Sequence, residues 1–172
     1  MAATRYLARI AGRIKQVAVT IVSAGAADDG KVVGLDATGR VDASVMPVGI
    51  APDTKSVVSS ENLAAGDVVN TFNNAGTLNV RKADATAEGK EVHGFVLAAV
   101  TSPAAALVYF EGRITGLSGL TPGASYYLSA STPGAVTLTP VSAAGNVDQY
   151  VGSAVSATEL NFEPEERGVT LA

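Results

Sequence analysis

The stretch Asp67-Val-Val-Asn-Thr-Phe-Asn-Asn-Ala-Gly-Thr-Leu-Asn-Val-Arg-Lys82 sets the pattern for most of the chain. It holds two short β-favouring runs, 67–72 and 77–82, on either side of Asn73-Asn-Ala-Gly76. Asn and Gly accept the backbone angles of a tight turn that most residues resist. The alternation continues outward. Further runs lie at 92–100, 105–115, 125–130, 135–139 and 150–156, and the breaks carry Pro122-Gly123, Pro133-Gly134 and Ala144-Gly-Asn146. Turn signals at intervals of about ten residues are those of an all-β sandwich or barrel. Helical composition is confined to the N-terminal arm and 83–90. The fold class expected is all-β: a compact β-barrel or sandwich with an extended N-terminal arm.

An internal repeat runs through this region. Leu63-Ala-Ala-Gly66 matches Leu120-Thr-Pro-Gly123 at an offset of 57, and Gly76 with Gly134 and Gly94 with Gly152 match at 58. Each copy reads as turn, strand, turn, strand, loop, strand. Two similar β units packed into one barrel are expected.

Upstream, 17–22 reads as a short strand, Asp29-Gly30 as a tight turn and 31–35 as a second strand. Asp36-Ala-Thr-Gly39 is another turn, and Pro47 forbids a regular helix across 43–50. The organisation expected is a basic N-terminal arm (1–27), a short hairpin and connecting segment (28–55), a β body (56–162) and an acidic C-terminal tail (163–172).

Composition narrows the function. The 172 residues are 47 % hydrophobic but only 16 % charged, against roughly 25 % charged in typical soluble domains. That is too apolar for a disordered chain, and no apolar run approaches the length of a membrane-spanning helix. Neither a membrane nor a nucleic acid is expected as partner, the net charge being −4. The absence of cysteine removes disulfides, thiolate metal sites and iron–sulfur clusters. The first 16 residues lack the apolar core of a secretory signal.

Charge is uneven. Arg5, Arg9, Arg13 and Lys15 are four of the 12 basic residues, and no acidic residue precedes Asp28. A helix would align Arg5, Arg9 and Arg13 beside a stripe of Tyr6, Ile10 and Ile14. An extended arm would spread them out. The β-branched run 17–22 favours an arm that docks on a negatively charged partner surface, because such a run is wasted on a free tail.

Motifs for catalytic or binding chemistry are lacking. Gly30-Lys31 and Gly89-Lys90 lack the Ser or Thr of a phosphate loop. The lone histidine, His93, sits in an apolar strand with no nucleophile elbow in the chain. Asp36-x-x-Gly39-x-x-Asp42 lacks the dense oxygen ligands of a calcium loop and reads as an Asx-capped turn. No catalytic, cofactor-binding or metal residue is assigned, and neither an enzymatic activity nor a cofactor is expected.

Two segments resemble a known class. Gly34-Leu-Asp-Ala-Thr-Gly-Arg-Val-Asp-Ala-Ser-Val-Met-Pro-Val-Gly-Ile50, with Ala24-Gly-Ala-Ala-Asp-Asp-Gly-Lys31 upstream, is similar to a segment common near the N-terminus of tailed-bacteriophage structural proteins. Gly119-Leu-Thr-Pro-Gly-Ala-Ser-Tyr-Tyr-Leu-Ser-Ala-Ser-Thr-Pro-Gly-Ala-Val-Thr137 resembles a second segment, found in capsid decoration (cement) proteins and tail-fibre modules. The resemblance implies a β-rich homotrimer, made in the host cytoplasm and seated on the outer surface of the virion. There it would clamp neighbouring major capsid protein subunits and stabilise the head. The arm expected to bind the capsid, assigned by charge and pattern, is Arg5, Tyr6, Leu7, Arg9, Ile10, Arg13, Ile14 and Lys15. The alternative is a tail-fibre or baseplate structural or host-binding protein, which would expose aromatic residues such as Tyr126, Tyr127 and Tyr150.

Overall fold

The computed structural model describes residues 4–46, 53–166 and 168–172. Two units separate, residues 1–51 and 52–172. The described part of the first unit is a β-hairpin, β1 (Arg5–Ile10) and β2 (Arg13–Ala18), followed by two short 3₁₀ turns, Gly25–Asp28 and Ala43–Val45. The expected strands 17–22 and 31–35 reduce to the end of β2 and one parallel bridge, Thr20 to Val33. Residues 47–50 of the expected 43–50 segment lie outside the described residues.

The second unit holds β3 (Thr54–Ser59), β4 (Val68–Asn74), β5 (Thr77–Lys82), β6 (Gly94–Val96), β7 (Ala105–Tyr109), β8 (Gly112–Thr115), β9 (Ser125–Leu128), β10 (Val136–Thr137), β11 (Val147–Asp148), β12 (Tyr150–Ala154), β13 (Glu159–Phe162) and β14 (Val169–Thr170). The protein is nearly all β, as its turn spacing implies. β4 and β5 form the antiparallel hairpin built on Asn73-Asn-Ala-Gly76, where Asn73 Oδ1 accepts from Gly76 N–H at 2.7 Å and Ala75 and Gly76 take positive φ. Helix does not form at 83–90. Instead Asp84 N–H donates to Lys90 O, and Asp84 Oδ1 accepts from Thr86 N–H. This acidic side chain competes with helix by capping its own turn. The 105–115 run breaks into β7 and β8, and 163–172 returns to the body because β14 pairs with β11.

The repeat is visible in the topology. β3, β7, β6, β4 and β5 lie side by side in that order, and β8, β13, β12, β9 and β10 repeat the order. Hydrogen bonds recur with it. Leu63 N–H donates to Val100 O as Leu120 N–H donates to Ala157 O, and Gly66 N–H donates to Val96 O as Gly123 N–H donates to Ala154 O. Gly94 and Gly152 also match. A Cβ on Gly94 would stand 2.6 Å from Tyr109 O, and one on Gly152 would collide with Asn161 O.

The two repeats do not share one barrel. The first repeat closes on itself through the parallel β3–β5 pair, Val58 with Asn79 and Ser59 with Val80. The second stays an open sheet. Val57, Leu63, Val69, Val80, Val96, Ala106 and Val108 fill the barrel. Their alternates on the strands, Val68 and Phe95, point outward and pack with Ile114, Leu128, Val151, Leu160 and Phe162 of the second repeat. Strand side chains alternate faces, so β4 and β6 serve both cores at once.

Candidate interaction surface

Ala11 (φ +50°) and Gly12 (φ +78°) make the two-residue turn that reverses the chain between β1 and β2. Positive φ at both central residues suits the twist of a two-residue hairpin. The turn overrides the helical alignment. Opposed residues share a face: Arg5 with Ala18, Leu7 with Gln16 and Arg9 with Ile14 on one, Tyr6 with Val17, Ala8 with Lys15 and Ile10 with Arg13 on the other. So Arg5, Leu7, Arg9 and Ile14 come together, Tyr6, Ile10, Arg13 and Lys15 form the second group, and Arg13 leaves the face of Arg5 and Arg9. Each face carries two cations among apolar side chains.

The first unit has no interior of its own. Not one of the described residues 4–46 is buried. Leu7 is 73 % and Ile14 75 % exposed, and Ile10, Ile21, Val22, Val32, Val33, Leu35, Val41 and Met46 are exposed as well. Polar contacts shape its loops instead. Ser44 Oγ accepts from Ser23 N–H at 2.8 Å, and Asp42 Oδ1 accepts from Ser44 N–H at 2.9 Å. Asp28 accepts from Ala24 N–H and pairs with Lys31 at 2.6 Å. Asp36 Oδ1 accepts from Thr38 N–H, Thr38 Oγ1 and Arg40 N–H, which makes the Asp36-to-Asp42 segment the Asx-capped turn expected of it. The Arg40 amide, then the Thr38 hydroxyl, hold the Asp36 carboxyl below its usual range, and the Ala24 amide and Lys31 do the same for Asp28. Those oxygens are occupied by the chain's own donors.

His93 is exposed. Its Nδ1 accepts from Thr71 N–H at 3.2 Å and lies 3.0 Å from Thr71 Oγ1. A groove of about 490 Å³ beside it is lined by Glu88, Glu91, Glu166 and Thr170. Among the described residues no cluster of three or more His, Asp or Glu could hold a metal. Tyr126 is core, 4 % exposed, with its hydroxyl accepting from Thr121 N–H; Tyr127 and Tyr150 are half-buried against each other at 6.0 Å. Among the described residues, no helix is long and apolar enough to cross a membrane.

No family model matches the sequence, and no curated protein matches it.

Proposed function

We propose that this protein is a structural component of a tailed-bacteriophage virion, a homotrimeric cement protein that binds the outer surface of the major capsid protein lattice. The observation that carries the reading is the first unit, a cationic, apolar segment without a single buried residue among those described. A lone two-stranded hairpin is marginal in water. Its exposed Leu7 and Ile14 would each gain about 1.5–3 kcal/mol on full burial. A docking partner supplies that burial, and four cations without an acidic neighbour before Asp28 favour an acidic one. The two segments that resemble phage virion proteins supply the setting, and the β body supplies a rigid platform.

The mechanism is additive. Each copy clamps neighbouring subunits, trimerisation makes the contacts multivalent, and a ligand that binds only the assembled shell stabilises it by mass action. The test is the ratio of this protein to the major capsid protein in purified virions, read by gel densitometry. A ratio near one is expected. A ratio of a few per cent would overturn the shell assignment and move the protein to the tail.

A further inference from the structure

The closed repeat shows what the open one lacks. In the first, β3 runs parallel to β5 and Ser60 N–H donates to Val80 O across the closure. In the second, the corresponding strands β8 and β10 do not pair. A groove of about 310 Å³ takes the place of the closure, with Gly116 and Leu117 on one bank, Gly134 and Val136 on the other, and Gly66 and Asp67 of the first repeat lining it between them.

The β10 bank has an unused backbone edge. Ser129 N–H donates to Ala135 O, so 129 and 135 form a hydrogen-bonded pair; two residues on, Tyr127 and Thr137 form the next. Val136, opposite Leu128, therefore directs its N–H and C=O away from β9. At Gly134 the same edge is occupied, because its C=O accepts from Val68 N–H and its N–H donates to Ala83 O. At Val136 no backbone partner is found among the described residues, and Leu138 just beyond is 48 % exposed.

We propose that this open seam receives the β1–β2 hairpin of a second copy of the chain, which adds to the sheet along β10. The hairpin has the complementary lack. It is a two-stranded sheet, β2 runs on into the Thr20–Val33 bridge, and the outer edge of β1 pairs with nothing among the described residues. Charge favours the match: residues 4–18 carry four basic and no acidic side chains, whereas residues 52–172 carry six basic against twelve acidic, a net −6. A strand added by its backbone turns one side-chain face inward and leaves the other outward. The exchange therefore leaves one face of the hairpin, with two of its four cations, for a further acidic partner such as the shell. The proposal does not depend on the capsid reading.

The chain contains no cysteine, so engineered thiols report without background. Leu7→Cys and Leu138→Cys are made as separate full-length variants, both at exposed positions that leave the cores intact. Mixed and mildly oxidised, they should give disulfide-linked dimers joining position 7 of one copy to position 138 of another, in excess of either homodimer. No mixed dimer, or a Leu7→Cys/Leu138→Cys double variant that cross-links within one monomer, would overturn the exchange between copies. Val136→Pro removes the outward N–H and is tolerated at a sheet edge. In sedimentation it should weaken self-association about tenfold or more, and unchanged association would also overturn the proposal. Both measurements use purified protein alone, so their failure leaves the shell reading standing. A low copy number in virions leaves this one standing.

Discussion

Gln149, wholly buried, ties Val92 of the first repeat to the C-terminal segment, and replacing it with Leu tests that tie. Its Oε1 accepts from Val92 N–H at 2.7 Å, and its Nε2 donates to Val92 O at 3.2 Å and to Glu165 O at 2.9 Å. Leu has a similar volume but offers no donor or acceptor. Val92 is 2 % exposed, so its N–H and C=O lose their partner without gaining water. Each buried group left unpaired costs about 1–3 kcal/mol. Glu165 is exposed, so its carbonyl can be hydrated and costs little. The extra apolar surface of Leu returns about 1–2 kcal/mol. The two unpaired groups less that return give a net loss of about 1–4 kcal/mol, a fall in Tm of roughly 2–16 °C for a chain of this size. Thermal unfolding by circular dichroism reads the loss, and hydrogen exchange locates it. Protection should fall first around Val92 and in the segment after Phe162. A Tm within about 2 °C of the parent, with exchange unchanged there, would refute the assignment of Gln149 as the tie between these segments.

Three further predictions follow from the same geometry. Gly94→Ala and Gly152→Ala should each destabilise the body by about 1–3 kcal/mol in urea denaturation, because the added Cβ meets a neighbouring strand's carbonyl; a neutral result at both would undo the structural equivalence of the repeats. Burial opposes the charged form of Asp84, but hydrogen bonds from Thr86 and the Lys90 ammonium outweigh it and hold its pKa below 3.8. Its contribution is present above that value and lost as pH falls through the lowered one, so the stability gap between parent and Asp84→Asn should narrow between neutral pH and about pH 3. On the hairpin, the full-length Arg13→Glu/Lys15→Glu variant, which reverses charge on the face opposite Leu7, should keep the parent's Tm, since both side chains are exposed, yet lose co-sedimentation with capsids. Retained binding would place the capsid contact elsewhere.

Much of this architecture was legible in the residues because turns are local. Asn73 to Gly76, Pro122-Gly123 and Pro133-Gly134 each specify a reversal within four residues, and the runs between them alternate as strands must. Strand 77–82 coincides with β5, and the offset of 57 to 58 between Leu63, Gly94 and their counterparts matches the repeated strand order. The cationic character of the N-terminus and the apolar side chains around it are likewise matters of composition. Other features depended on partners distant in the chain. β3, with Thr54, Lys55 and Ser56 at its start, looks like a linker by composition and becomes a strand because β7 and β5 flank it. Gln149 carries no local mark at all; its role exists only where Val92 and Glu165 meet it. The helical spacing of Arg5, Arg9 and Arg13 yielded to a two-residue turn that pairs β1 with β2. Closure of one repeat and not the other was equally beyond sequence, since it rests on whether β5 reaches β3 and β10 fails to reach β8. Turn chemistry and alternation act over a few residues and belong to the sequence. Pairing register, closure and buried hydrogen bonds join segments tens of residues apart and belong to the tertiary structure.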